Sequence, residues 1–239
     1  MAVKKAKIGS QWMTITDISS KLSEARQNKK SQSSFIKKLE ADVVRRVSEV
    51  ERTLSDLPSR DRLQLVERTR AGARKEIKAG SANHRLVMMR KAGGIQKSVV
   101  SAKTHYRSPV QMLMRHDLGS ARRNRIQLQI QHSGSVELAS LAELAAATKD
   151  RELGAALCAR NSSLKPKERT FSSHELAYAL IGEDFNQVTA AVKEIDRITQ
   201  EVAQADTAFE TGRNNPKRSI EIELMRRDEQ QYQTEEIEE

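Results

Sequence analysis

The histidines, the single cysteine and the carboxylates of this chain match no catalytic or metal-binding pattern. None of the five histidines pairs with another His or with Cys158 at the spacing of metal ligands; they are His84, His105, His116, His132 and His174. The glycine-based motifs GxxxxGK[ST], GxGxxG and GxSxG do not occur, and neither does HExxH. The sequence therefore predicts no catalytic residue, no metal site and no cofactor, and we expect a protein that is not an enzyme and has no small-molecule substrate.

Charge is the chemistry that the sequence offers instead. Residues 1–130 carry 29 Lys/Arg against 11 Asp/Glu, whereas residues 131–239 carry 13 against 21. No acidic residue lies between Glu76 and Asp117. Cations without intervening carboxylates can neutralise phosphates. The candidate phosphate-facing residues are therefore Lys78, Arg85, Arg90, Lys91, Lys97, Lys103, Arg107, Arg122, Arg123 and Arg125.

The basic half has two alternative roles that do not involve phosphate. It could be a solvated face, or it could meet acidic protein surfaces, including the acidic half of a neighbouring subunit. Aromatic residues make up only 3% of the chain, so base stacking is not expected. The helices of Leu138–Ala159 have no convincing turn between them and too few basic residues for a recognition helix, so contact with DNA is expected to be independent of sequence.

Cysteine usage and hydropathy bear on the compartment. Cys158 is the only cysteine, which excludes an internal disulfide and indicates a reducing, intracellular origin. Its small and apolar neighbours favour a buried thiol over a reactive one. No apolar run is long enough to span a bilayer, and no apolar segment follows the basic N-terminus as a secretory signal requires. We expect no membrane association and a cytoplasmic or virion location.

The elements that would carry these residues are mainly helices, because the four prolines fall between segments of helical period. Apolar positions three or four residues apart predict a helix over 34–54. Further helices are expected at about 59–79, with Gly80 as the C-cap, and at about 83–104, with a kink or close packing at Gly93-Gly94. Two capping boxes predict helix starts: Ser108 with Gln111, and Ser172 with Glu175. The helix from Ser172 is expected to end at Gly182.

A heptad pattern predicts the last long helix, at about 184–211. Its apolar stripe predicts packing against partner helices, either in an intramolecular bundle or as a seam between subunits. The stripe consists of Val188, Ala191, Ile195, Ile198, Val202, Ala205 and Phe209.

Two short segments alternate apolar and polar residues, about 125–131 and 219–224. This period favours short β-strands over the alternative, two-turn helices. Both ends of the chain lack helical period but carry apolar residues, which is typical of arms anchored on neighbouring subunits. For Trp12 the alternative is that it folds back on the core of its own subunit. The candidate anchors are Trp12, Ile220, Ile222 and Leu224.

The predicted fold class is mainly α, a multi-helix bundle with extended terminal arms and one or two possible short strands. The expected regions are an N-terminal arm (1–16), a basic helical region (17–134), an acidic helical bundle (135–212) and a C-terminal arm with an acidic tail (213–239).

This outline resembles small helical structural proteins of tailed bacteriophage particles, especially head–tail connectors (adaptors) and internal proteins. The resemblance rests on the arm with Trp12, the helical body, the segment Ile220–Leu224 after Pro216 and the tail ending in Glu238-Glu239. It implies a ring-forming subunit of a virion, assembled in the host cytoplasm, through whose lumen DNA passes. It transfers no functional residue.

The expected function is a non-enzymatic, homo-oligomeric assembly protein, and its expected partners are itself and other structural proteins. The alternative is a nucleic-acid-binding or packaging protein that contacts DNA without sequence preference.

Overall fold

The chain forms eight α-helices in the residues that the structure, a computed structural model, describes: 13–103, 105–115, 118–212 and 215–235. Two of the connections between them contain short 3₁₀ helices, Ile130–His132 and Pro166–Glu168, and no β-strand occurs in these ranges. The fold is therefore the predicted all-α, multi-helix bundle. The helices are α1 (Ile15–Thr53), α2 (Ser59–Lys103), α3 (Pro109–Arg115), α4 (Ala121–Gln129), α5 (Ser135–Thr148), α6 (Arg151–Ser163), α7 (Ser173–Thr211) and α8 (Pro216–Glu235).

Polar side chains cap the starts of several helices. The hydroxyl of Ser108 accepts a hydrogen bond from the Gln111 N–H at 3.2 Å, and that of Ser172 accepts one from the Glu175 N–H at 3.3 Å. Both caps were predicted from the sequence. Asp150 caps α6 by accepting from the Leu153 N–H at 3.1 Å. Each cap satisfies a backbone N–H that has no partner inside its helix.

Helix α2 is one continuous helix, and the predicted break at Gly80 is wrong. Its inward face continues through the glycine with Ala73, Ser81, Arg85 and Ala92 buried at helical spacing. Because two of these inward residues are polar, the apolar period disappears from the sequence while the helix persists. Close packing at Gly93-Gly94, one of the two predicted alternatives, is also absent, since no atom lies within 4 Å of a Cβ added at either glycine.

The predicted helix end at Gly182 is a kink inside α7. Ile181 leaves the helical region there, with φ −139° and ψ 17°, and the chain then resumes its helix as far as Thr211. The two helices predicted on either side of Gly182 are therefore two parts of one bent element.

The two possible strands are helical. Residues 125–131 lie in α4 and the 3₁₀ turn Ile130–His132, and residues 219–224 lie in α8. The alternation does not mark a buried sheet face, because Leu128 and Leu224 are 69% and 54% exposed. Only Ile130 and Ile222 of the alternating apolar residues are buried. Each segment therefore fully buries one of its alternating apolar residues while it forms a helix, and no strand in the described ranges is available to pair with it.

The first of two compact units holds the described residues of Met1–Ser19 together with Val99–Val192. Its core is formed by α3, α5, α6 and the first part of α7, and it contains many alanines. Helix α6 is buried continuously from Gly154 to Cys158. A Cβ added at Gly154 would collide with the side chain of Leu180, so the glycine permits the close approach of α6 and α7.

The second unit comprises Ser20–Ser98 and Lys193–Glu239. Within it, α1 and α2 are antiparallel neighbours: the Asn28 amide donates to the Met88 carbonyl at 3.1 Å, and Arg46 pairs with Glu76 at 2.9 Å. The second half of α7 packs against both helices. The Gln32 amide, 1% exposed, donates to the Val202 carbonyl at 2.9 Å.

The C-terminal segment is a helix rather than an extended arm. Helix α8 runs back along α7, with Ser219 hydrogen bonded to Gln204 at 2.7 Å and Glu229 paired with Arg197 at 2.9 Å. Ile222 is buried beneath it. The left-handed Gly212, with φ 71°, ends α7 where the sequence predicted.

Candidate functional site

Arg85, one of the candidate phosphate-facing residues, lies inside the second unit. Its side chain is 4% exposed, pairs with Asp206 at 2.8 Å and also contacts Glu210. Its guanidinium carbon stands 5.1 Å from the centroid of the Phe209 ring. These partners place Arg85 in the interior, where it joins α2 to α7 and is not available to a phosphate.

Arg122 of the first unit also forms ion pairs. Its guanidinium binds both carboxylate oxygens of Asp150 and lies 2.7 Å from Glu152. Burial acts to raise the pKa of Asp150, but the hydrogen bonds from Arg122 and the Leu153 N–H hold it below its ordinary value. The neighbouring Arg123 is 4% exposed. Arg122 therefore joins α4 to the start of α6.

The remaining candidate cations are dispersed. Lys78 donates to the Glu210 carbonyl, and Lys91 pairs with Glu24 at 3.4 Å. Arg125 is exposed, and its Nε donates to the Ala121 carbonyl at 3.4 Å. The four remaining candidate cations are exposed: Arg90, Lys97, Lys103 and Arg107. The set is divided between the two units: its members from Lys78 to Lys97 belong to the second unit, and those from Lys103 to Arg125 belong to the first.

The apolar stripe of α7 packs inside the subunit. Ile195 and Ile198 are 0% and 2% exposed, and Ala205 is half-buried. The remaining members of the stripe are also buried: Val188, Ala191, Val202 and Phe209. Of the two arrangements left open by the heptads, the intramolecular bundle accounts for this burial.

The candidate arm anchors are not gathered at one place. Ile222 is buried in the subunit, whereas Ile220 is 61% exposed and Leu224 is 54% exposed. Trp12 and residues 236–239, which include three glutamates, lie outside the described residues.

A cationic groove between α1 and α7 in the second unit was not predicted from the sequence. It encloses about 500 Å³ and is lined on the α1 side by Arg26, Lys29, Lys30, Ser33, Ser34 and Lys37. The α7 side contributes Glu194, Arg197 and Ile198. Residues 25–39 of α1 carry five Lys/Arg and no Asp/Glu. The wall of the groove is therefore a continuous row of cations and hydroxyls.

Carboxylates fix part of this wall in place. Both oxygens of Glu194 accept hydrogen bonds from the Arg26 guanidinium at 2.7 Å. Arg197 pairs with Glu201 and with Glu229, each at 2.9 Å. Bidentate and networked pairs hold side chains more rigidly than single exposed pairs do. The groove therefore has an ordered floor.

Lys29 joins the same network through Glu201, at 2.5 Å. Burial acts to raise the pKa of Glu201, but Lys29 and Arg226 keep it below its ordinary value. Two further groove cations, Lys30 and Lys37, are exposed, and neither forms an ion pair among the residues that the structure describes. They lie seven residues apart, on the same face of α1.

The amino-acid sequence shows only part of the charge pattern that forms this groove. The acid-free stretch 25–39 is shorter than the one after Glu76, and it falls on the flank of the predicted helix, where the apolar period is weak. Arg197 and Glu194 come from a segment about 160 residues further along the chain. Only the packing of α7 on α1 places them beside the lysines.

A second exposed feature is the end of the α1–α2 hairpin, residues 44–73, which we call the tip hairpin. Helix α7 ends beside Arg74, whose guanidinium donates to the Phe209 carbonyl at 3.4 Å, and α8 turns back from there along α7. Beyond that point α1 and α2 continue as two helices only. Its α2 arm from Ser59 to Ala73 is roughly 22 Å long at 1.5 Å per residue.

The tip hairpin leaves large apolar side chains in solvent. Val47, Val66 and Ala73 are buried between its helices, while Val44 and Leu63 are 67% and 64% exposed. Leu57 and Leu65 are also exposed. The hairpin therefore presents apolar surface that its own two helices do not cover.

The described ranges hold neither a metal cluster nor a membrane span. They contain no group of three or more His, Cys, Asp or Glu side chains placed to hold a metal ion. None of the helices described combines the length and the apolar character needed to cross a bilayer.

Comparison with known proteins adds no relative: no family model, no curated protein and no solved structure matches this chain.

Proposed function

We propose that the protein is a non-enzymatic structural subunit that assembles with copies of itself through the tip hairpin. The observation that supports this most is the pair of exposed apolar residues of the tip hairpin: Leu63 lies beyond the end of α7, and Val44 is level with the last turn of α7. Burying one such side chain in a contact is worth about 1.5–3 kcal/mol. Leu63 gains this only from another chain, because α7 ends at the level of Arg74.

The charges of the tip hairpin favour a second copy as the partner. Residues 44–73 carry seven arginines and five acidic residues, interspersed along both helices. In a two-fold symmetric contact the same surface meets itself, so arginines of one copy can face carboxylates of the other. A uniformly anionic partner would face the five carboxylates as well as the seven arginines, and the net charge of +2 offers it little attraction. The mixed pattern therefore suits self-association better than it suits nucleic acid.

The particle we propose for this assembly is the virion of a tailed phage, with the subunit in its head–tail connector. This part of the proposal rests on the sequence resemblance, in which rings of helical subunits carry DNA through a central lumen. The long helices and the projecting hairpin are compatible with such a subunit.

The test compares Val44→Glu/Leu63→Glu with a matched control, Val87→Glu. Val87 is 60% exposed on the same helix α2 but outside the tip hairpin. We expect the wild type and the control to show the mass of an oligomer in native mass spectrometry. The double variant should run as a monomer, since each glutamate would be buried without a partner in the contact.

Circular dichroism should show equal helicity for all three proteins, because the substituted side chains are exposed in the subunit. A wild type that stays monomeric over the accessible concentration range would refute self-assembly. A double variant that keeps the wild-type oligomeric mass would refute the tip hairpin as the contact.

A further inference from the structure

We infer that the cationic groove between α1 and α7 binds the phosphate backbone of nucleic acid, without sequence preference. This site is separate from the tip hairpin and does not depend on the proposed self-assembly. It also differs from the phosphate-facing set predicted from the sequence, because its main cations are Lys30 and Lys37 of α1.

Charge supports the inference first. The groove lining has five Lys/Arg and one carboxylate, Glu194. Glu201 and Glu229 lie behind the lining and neutralise Arg197 and Lys29. Counting these two carboxylates, and Arg226 beside them, the groove keeps an excess of three positive charges. A concave surface of one sign concentrates its field and attracts anions.

The donors of the groove match a phosphate backbone. Contacts to backbone phosphates come mainly from Arg and Lys, together with hydroxyl and amide side chains. Ser33 and Ser34 place two hydroxyls between Lys30 and Lys37. The two lysines are separated by roughly 10.5 Å along the helix axis. A row of this length suits several phosphates of one strand better than a single phosphate ion.

Two further features determine the kind of polyanion. A helix that binds a membrane surface needs exposed apolar residues opposite or between its cations. The only apolar residue of the lining is Ile198, which is 2% exposed, so the groove offers nothing to insert into lipid. No aromatic residue lines it either, which leaves no platform for stacked bases. Because only the backbone is contacted, we expect no sequence preference.

The test measures binding of the full chain to a random-sequence duplex DNA by fluorescence anisotropy over a range of salt concentrations. The variant Lys30→Gln/Lys37→Gln removes two exposed cations and keeps residues of good helix propensity. Each phosphate contact contributes about 0.9 to the slope of log affinity against log salt, so we expect the slope of the variant to be shallower by about 1.8.

The matched control is Arg90→Gln/Lys97→Gln, which removes two exposed cations, also seven residues apart, from α2. It should leave the slope at the wild-type value. The charge-preserving variant Lys30→Arg/Lys37→Arg should bind with the wild-type slope. Circular dichroism of all variants should match the wild type because all four side chains are exposed.

Several results would overturn the inference. One is the absence of DNA binding by the wild type at about 50 mM salt. Another is an equal loss of slope in the α1 variant and the α2 control, which would indicate attraction by net charge alone. A third is tighter binding to anionic lipid vesicles than to DNA. Inorganic phosphate at millimolar concentration should not displace the duplex, and full displacement would assign the groove to small phosphates.

Discussion

Replacing Arg85 with Met tests whether this buried cation holds the second unit together or serves as a phosphate contact. The structure gives Arg85 4% exposure and pairs it with Asp206, whose side chain is 12% exposed. Removing one partner of a buried ion pair costs about 3–5 kcal/mol, because the other charge is left without compensation. Glu210 contributes less, since its side chain is 45% exposed and stays hydrated.

The change should be visible in thermal and urea unfolding followed by far-ultraviolet circular dichroism. For a chain of this size each kcal/mol lowers Tm by about 2–4 °C, so we expect a decrease of roughly 6–20 °C. The control Arg90→Met, at an exposed position of the same helix, should change the free energy of unfolding by no more than about 0.5 kcal/mol.

The double variant Arg85→Met/Asp206→Leu separates charge from packing. Replacing both members of a buried pair with apolar residues is often neutral, so the double variant should regain most of the lost stability. A loss below about 1 kcal/mol in Arg85→Met would refute the structural role. If Arg85→Met instead left the stability unchanged and made the salt dependence of DNA binding shallower, Arg85 would be a phosphate contact.

Two further predictions concern glycines, and urea unfolding measures both; a third concerns Cys158. Gly93→Ala should stabilise the protein by up to about 1 kcal/mol, because the added methyl group meets nothing and the unfolded chain loses freedom. Gly154→Ala should destabilise it by about 1–3 kcal/mol through the collision with Leu180, and a neutral effect would contradict the close packing of α6 and α7. For Cys158, burial raises the thiol pKa from 9.0 to about 11, so a thiol reagent at pH 8 should react roughly 100-fold faster with the unfolded chain. The raised pKa adds stability that is present below about pH 9 and is lost as the pH rises toward 11; equal labelling of native and unfolded protein would contradict the burial.

Local sequence was sufficient to predict the helical class and many helix ends. A cap such as Ser172 binds its own helix three residues on, and Gly212 adopts a left-handed φ at the end of α7, so neither feature needs a distant partner. The heptads of α7 likewise identified its buried face, because apolar period is a property of the segment itself.

Packing between distant segments settled the points at which local patterns are ambiguous. Helix α2 continues past Gly80 because Ser81 and Arg85 form the inward face there, and their burial depends on Asp206 from the distant α7. Alternating residues such as those around Ile222 fit a strand or a helix equally well until a packing partner is known. In this chain the partner was α7, and the segment became helix α8.

The functional surfaces depended on this packing most. A row of cations in a sequence does not reveal which of them are bound by carboxylates, and the structure shows Arg85 and Arg122 to be so bound. The groove exists only because α7 lies against α1, which brings Glu194 and Arg197 beside lysines far away in the chain. Electrostatic interactions act through space, so their pattern follows from the packing of the helices and not from the order of residues.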